Sequence, residues 1–271
     1  MQNLSKLAVI GAGKMGETLI KALLETKLLA AEQVIATAKH AARLEEIAKR
    51  FNVAITRDNR EAVAMADLIL LCVKPQVLRD VLEEIKPVMR PEHMLISIAA
   101  SATTAFIERH LENTAPVVRA MPNTPALVRA GMTALCAGTH AREEHLQRAR
   151  QIFDAVGRTL IIDEKHMDAV TALSASGPAY IYVILESLAE GGLKVGLPRQ
   201  VATELAAQMC LGAARMVLET GAHPALLKDA VTTPAGCTID GILQLEEGGL
   251  RVTLIKAVVE ATRRATQLIE S

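Results

Sequence analysis

Aromatic residues are almost missing from these 271 residues: three Phe, two Tyr and no Trp, 2% of the chain. A platform of rings on which exposed bases could stack is excluded. Neither charge is in excess, because 30 Lys and Arg offset 30 Asp and Glu to give a formal net charge of +0. No basic field draws in a polyanion, so neither nucleic acid nor an anionic membrane is an expected partner. The four cysteines, Cys72, Cys136, Cys210 and Cys237, form no C-x-x-C pair and have no His at ligand spacing. Reduced, buried thiols are expected, with no disulfide framework. The closest histidines, His140 and His145, fall in "GTHAREEHLQRAR", which reads as a solvated loop and helix start, so no metal site is expected. A charged, apolar leader is also missing, and the unbroken run "ADLILLCV" is too short to cross a bilayer. A soluble, cytoplasmic protein is the expectation.

What is present is aliphatic. With 51% hydrophobic residues, drawn mainly from Ala, Leu, Val, Ile and Met, the chain can fill two domains and suits closely approaching helices. Near the N-terminus, "VIGAGKMGETLIKAL" sets three glycines between an apolar strand and an amphipathic helix. Gly11 is expected to make the tight turn, Gly13 to let a pyrophosphate approach, and Gly16 to let helix pack on strand. Free amides at the helix start would face the phosphates.

Strand-like and helix-like segments then alternate: "QVIATA", "RLEEIAKRF", "VAIT", "DLILLCV" ending at Lys74-Pro75, "VLRDVLEEIKPVM" and "HMLISIAA". Such alternation predicts a Rossmann-type, doubly wound parallel sheet with ligands at the carboxyl ends of its strands. "VVRAMPNTPALV", "MTALCAG" and "AVGRTLIID" read as its last strands. From Glu164 onward, strands give way to long Ala- and Leu-rich helices ending in "RVTLIKAVVEATRRATQLIE". The expected division is a dinucleotide-binding domain over 1–163 and a helical domain over 164–271. Those helices carry apolar residues around much of their circumference, more than about a hundred residues can bury alone, so a homodimer of intertwined helices is expected.

An NAD-binding fold usually ends its second strand with Asp or Glu, which holds the ribose 2′-hydroxyl and repels a 2′-phosphate. Here that place reads "ATAKHAAR", with no acid. Thr37 supplies a hydroxyl and Lys39, His40 and Arg43 supply cationic donors, which suits NADPH, with NADH as the alternative donor.

Two stretches of the helical half read poorly as packing alone. In "SASGPAYIY", Ser174, Ser176 and Gly177 form a polar, flexible lead into a helix with Pro178 in its first turn. In "VTTPAGCTIDGILQLEEGG", a Pro-Ala-Gly turn precedes a helix beginning near Thr238, and free amides around Gly236, Cys237 and Thr238 could hold a carboxylate without any Arg. Thr238 could equally be a plain helix cap.

Taken in order, "GAGKMG", "DNREAV", "ADLILLCVKPQ", "ISIAA", "VRAMPNTPALVRAG", "SASGPAYIY" and "KDAVTTPAGCTIDGILQLEEGG" closely resemble the pyrroline-5-carboxylate reductase family over essentially the whole chain. The resemblance implies reduction of the cyclic imine 1-pyrroline-5-carboxylate to L-proline by NAD(P)H. It implies cofactor binding by the glycine turn, here Gly11, Gly13, Lys14, Met15 and Gly16, by Asn59, by Val73, Lys74 and Pro75, and by the loop starting Met121, Pro122 and Asn123; the residues themselves add Thr37 and Lys39 at the end of the second strand and Ala99 at the end of a later one. In the family, substrate binding falls to the loop matched by Gly236, Cys237 and Thr238, with the Thr238 hydroxyl facing the ring nitrogen as the catalytic group; the polar lead of Ser176, Gly177 and Pro178 is expected to join them. Dimers of the family often join into a decamer. This chain departs from the family in Ala175, Thr233 and Ala235, where Gly, Ser and Gly are usual. Cys237 stands at a variable position and would be an oxidation target if accessible.

Two alternatives remain open. A 3-hydroxyacid dehydrogenase of similar layout needs a Lys in the first long helix of its second domain, and "GPAYIYVILESLAEGG" has none before Lys194. A non-catalytic NADPH-binding regulatory protein would have no need of the Gly236–Thr238 segment.

Overall fold

The structure, a computed structural model, describes residues 6–267; the expected helix end at Glu270 and the first five residues lie outside that range. The described residues form two compact units, one of residues 6–175 with 261–267 and one of residues 176–260.

The first unit is built on β1 (Leu7–Ile10), α1 (Lys14–Glu25), β2 (Val34–Thr37), α2 (Ala41–Phe51), β3 (Ala54–Thr56), α3 (Asn59–Ala64), β4 (Leu68–Leu71), α4 (Pro75–Ile85), β5 (Met94–Ser97), α5 (Thr104–Leu111), β6 (Val117–Met121), β7 (Gly131–Ala137), α6 (Glu143–Asp154) and β8 (Gly157–Ile161). The strands form one sheet in the order β3-β2-β1-β4-β5-β6-β7-β8. Its central strands are apolar on both faces because both faces are covered. Leu7 and Val9 belong to one core with Leu19, Leu23 and Phe153, while Ala8 and Ile10 belong to the other with Leu78, Leu82 and Ile107. The chain runs outward from β1 in both directions, so the order reverses between β1 and β4, and the crevice there is where such sheets bind ligands.

One strand departs from the expected parallel sheet. β7 runs antiparallel to β6, with Val118 opposite Ala137 and Met121 opposite Ala134, and β8 is parallel to β7. Between β6 and β7 there is a loop holding only a 3-10 turn over Thr124–Val128, too short for the crossover a parallel partner needs. α6 supplies that crossover between β7 and β8.

The contacts also divide the chain later than the change of pattern at Glu164. α7 (Met167–Val170) and a wide π turn over Thr171–Ala175 remain with the sheet unit, Met167 being buried against Met121, Ala134 and Cys136. The reason is electrostatic as well as apolar. Arg119, buried on β6, reaches Glu164 at 3.3 Å and Asp168 at 3.7 Å. Glu164 in turn accepts from the Thr104 amide at 2.8 Å and hydroxyl at 2.6 Å, and Asp168 accepts from the Thr266 hydroxyl at 3.1 Å. One buried guanidinium thus gathers the segment that leaves this unit and the last turns that return to it.

The second unit is helical: α8 (Gly177–Lys194), α9 (Arg199–Thr220), α10 (Pro224–Ala230), α11 (Cys237–Glu247) and α12 (Leu250–Gln267), whose last turns return to the first unit. α8 and α9 form a hairpin tight enough that a Cβ on Gly192 would lie 2.8 Å from that of Ala202. Little else is covered. Ala189 is the buried residue of α8, Ala202 and Ala206 are those of α9, and α11 has none, while Tyr182, Leu205, Leu226 and Val259 are more than half exposed. Short unbroken runs in the sequence conceal this, because small and polar residues interrupt helices that are apolar on average. The segments 164–194 and 199–220 are long and apolar enough to cross a membrane by length and composition alone.

Candidate active site

The three glycines divide the work as expected. Gly11 has φ +81, and a Cβ there would lie 2.6 Å from Val73 Cγ1, so both conformation and space require glycine. A Cβ on Gly16 would press on Val9 Cγ1 at 3.2 Å, which fits close packing of α1 on β1. At Gly13 it would meet only the Gly11 carbonyl at 3.9 Å, leaving the approach to this backbone open. Gly13 precedes α1 with no side-chain cap, so the amides of Lys14, Met15 and Gly16 have no carbonyl one turn back. An open cradle ringed by helix N–H groups fits the pyrophosphate of a dinucleotide.

Parallel pairing collects the remaining cofactor candidates. Ile10 lies opposite Leu71, Leu71 opposite Ser97, and Ser97 opposite Arg119, so β1, β4 and β5 end together and β6 runs two residues further in the same direction, to Met121. The glycine turn, Val73–Lys74–Pro75, Ala99 and Met121–Pro122–Asn123 therefore share one sheet edge, with Lys74 preceding α4 and Pro75 opening it. Ala99 and Met121 are buried there. Asn123 is a brace: its Oδ1 accepts from the Met132 amide at 2.9 Å and its Nδ2 donates to the Ser174 carbonyl at 3.2 Å.

At the end of β2 the structure reassigns two expected contacts. The Thr37 hydroxyl is buried and already engaged, accepting from the Gly11 amide at 3.1 Å and donating to Asn59 Oδ1 at 2.7 Å. It shapes the turn from within. Arg43 pairs with Glu17 and Glu46 and donates its Nε to the Ala12 carbonyl at 3.2 Å; the Glu17 carboxylate raises the guanidinium's pKa further. Lys39 is exposed at this corner, beside the exposed imidazole of His40. Two acids escaped the sequence reading, Glu17 and Glu84, whose carboxylate accepts from Asn59 Nδ2 at 2.7 Å. Nothing local signals either, since their partners are 25 or more residues away.

The helical unit's candidates stand at two helix starts, and no hydrogen bond joins them among the described residues. Ser176 immediately precedes α8, with Gly177 and Pro178 in its first turn. The expected flexible lead is in fact the π turn of Thr171–Ala175, so Ser174 and Ser176 are held on helical backbone. α11 begins at Cys237, after Gly236. The Gly236 amide is not free, because it donates to the Thr233 carbonyl at 3.0 Å. The unpaired amides start at Cys237 and Thr238, and Thr238 lies inside the first turn, past the capping position. Its half-buried hydroxyl has no hydrogen-bond partner among the described residues.

Cys237 is exposed, contrary to the expectation of buried thiols, whereas burial pushes Cys72 and Cys136 up to about 12 and keeps them protonated. Ala235 adopts φ +57, left-handed backbone where its methyl is disfavoured. Ala235→Gly is expected to raise stability by about 0.5–1 kcal/mol, the relieved strain exceeding the entropy added to the unfolded chain. Urea unfolding of both forms measures it, and a less stable glycine variant would refute it.

An open, doubly wound sheet with a glycine turn at its switch point, joined to a bundle of incompletely covered helices, defines a two-unit protein of the Rossmann dinucleotide-binding class. Residues 6–101 match the family model described as NADP oxidoreductase coenzyme F420-dependent, and residues 164–268 match that for pyrroline-5-carboxylate reductase dimerisation. The pyrroline-5-carboxylate reductase of Synechocystis sp. is 43% identical over 97% of this chain and 98% of its own, and that of Methanosarcina acetivorans 41% over 99% of each. Among solved structures, the enzyme from Coxiella burnetii superposes with TM-score 0.92 at 37% identity, covering 98% of this chain and 99% of that one. The Plasmodium falciparum enzyme, solved with NADP bound, gives 0.88 at 29%, covering 99% of each. The chain belongs to the pyrroline-5-carboxylate reductase family.

Proposed function

We propose that this chain reduces the C=N bond of 1-pyrroline-5-carboxylate to L-proline, with NADPH as preferred donor and NADH as the alternative. The observation that carries the reading is the start of α11, where unpaired amides and an uncommitted threonine hydroxyl stand side by side. A bound reduced nicotinamide supplies the hydride. Everything else falls to the chain. The amides of Lys14, Met15 and Gly16 hold the pyrophosphate, and Val73–Pro75, Ala99 and Met121–Asn123 form the edge along which the dinucleotide lies. Lys39, with His40, offers charge to a 2′-phosphate that no acid at the end of β2 repels.

In the helical unit, the Cys237 and Thr238 amides at the positive end of the α11 dipole hold the substrate carboxylate. The Thr238 hydroxyl orients the ring nitrogen, and Ser176, Gly177 and Pro178 complete the pocket from the start of α8. As the protonated imine is already electrophilic, hydride adds to its carbon and the nitrogen keeps its proton as the secondary amine forms. No strong protein acid is required, and orientation contributes most of the acceleration. Residues 1–163 carry the dinucleotide and 164–271 the substrate and dimer contacts in this reading. α8 and α9 face a second copy in a soluble cytoplasmic enzyme, and such dimers join into a decamer.

The test is imine-dependent consumption of NADPH with L-proline as product. kcat/KM is expected to be about tenfold higher with NADPH than with NADH, as befits one charge-assisted contact to the 2′-phosphate. Higher efficiency with NADH overturns the cofactor preference, and cofactor binding without imine reduction overturns the enzyme.

A further inference from the structure

Four groups from four different elements form one chain of hydrogen bonds ending at the glycine turn. The Gly11 amide donates to Thr37 Oγ1 at 3.1 Å, Thr37 Oγ1 donates to Asn59 Oδ1 at 2.7 Å, and Asn59 Nδ2 donates to Glu84 Oε2 at 2.7 Å. The two end groups have a single possible role each, the Gly11 N–H as donor and the carboxylate as acceptor, and of these only the carboxylate decides how the Asn59 amide is turned. An ionised carboxylate can accept but never donate, so Asn59 must turn its NH2 toward Glu84 and its carbonyl toward Thr37. The threonine hydroxyl must then give its proton to that carbonyl, which leaves its lone pairs to the Gly11 amide. The directions of the Thr37–Asn59 and Asn59–Glu84 bonds thus follow from one charge on α4.

Two consequences concern the dinucleotide site. Gly11 is held at its φ of +81 by the Thr37 hydroxyl, while the Ala12 amide is tied to the Thr37 carbonyl at 2.7 Å, so the turn is gripped by both polar groups of one buried residue. Asn59, beginning α3 at the same edge, also keeps one N–H without a partner among the described residues, because an amide nitrogen carries two hydrogens and Glu84 takes only one. With its amide turned this way it presents a donor, the group that phosphate and ribose oxygens accept from. Glu84 is itself steadied, its backbone carbonyl accepting from Arg60 Nε at 2.9 Å.

We infer that Glu84 is a positioning residue for the dinucleotide: acting through Asn59 and Thr37, it sets the polarity of the chain that shapes the glycine turn and keeps a donor facing the cofactor. The inference rests on reading this edge as the cofactor site.

Glu84→Gln tests it with almost no change of shape, since a glutamine amide can meet Asn59 in either orientation and no longer dictates its direction. Calorimetric titration of the unliganded protein with NADPH is expected to show binding weakened about five- to thirtyfold, the worth of one or two hydrogen bonds. The KM for NADPH should rise in step and that for the imine should not. In an Asn59→Ala background the same substitution should change NADPH binding less than twofold, because the route from Glu84 is already cut. Equal NADPH affinity in wild type and Glu84→Gln overturns the positioning role alone. Additive losses in the double variant overturn the route through Asn59. If wild type itself fails to bind NADPH, the cofactor reading falls and this inference with it.

Discussion

Thr238→Ala is expected to lower kcat/KM for the imine by roughly ten- to a thousandfold, about 1.4 to 4 kcal/mol, with NADPH binding nearly unchanged. The substitution removes the hydroxyl and leaves the amides of Cys237 and Thr238, so carboxylate binding survives while orientation of the ring nitrogen is lost. A capping role predicts the opposite pattern, about 1 kcal/mol less stability with normal turnover by the folded fraction. The position of α11 already weighs against it. The helix begins at Cys237, so the hydroxyl of Thr238 starts too far along to cap it. Thermal melting and steady-state kinetics on the same preparation separate the readings, and wild-type kinetics with a lowered Tm would make Thr238 structural.

The second large effect concerns stability. Arg119→Met would leave Glu164 and Asp168 facing a buried apolar side chain, and removing one partner of a buried ion pair costs about 3–5 kcal/mol. Here about 3 kcal/mol is expected, because the two carboxylate side chains remain 25% and 20% exposed. Glu164→Gln added to Arg119→Met should recover part of the loss, since the glutamine carbonyl still accepts from the Thr104 amide, its NH2 can donate to the Thr104 hydroxyl in place of the second bond, and it no longer needs a counter-charge. Denaturant unfolding of the single and double variants reads both values. A single variant within 1 kcal/mol of wild type would show that the buried guanidinium holds nothing together.

How much of this was legible depends on how far each cause reaches along the chain. The pattern of the glycine turn is local, three glycines between a strand and a helix within eight residues, and the structure shows the tight turn at Gly11, open space at Gly13 and close packing at Gly16, although part of the crowding at Gly11 comes from Val73 on a neighbouring strand's end. Thr238 stood out because Pro, Gly and Thr crowd one helix start. Thr37 was found and its part misread, since a hydroxyl at a strand end looks the same whether it faces solvent or the amide of Gly11. Gly236 was misread in the same way, its amide being closed by a turn that Thr233 completes.

Side-chain period and backbone preference act between neighbours in sequence, so the sequence by itself determined the alternation of strands and helices, the double-sided core, the helical second half and the place of the glycine turn. Partners in charge and hydrogen bonding are chosen by proximity in space. Only the tertiary structure could therefore decide that Arg119, an isolated cation in an apolar strand, answers to Glu164 and Asp168, that Glu84 is linked through Asn59 and Thr37 to a turn 73 positions earlier, and that a short loop reverses β7.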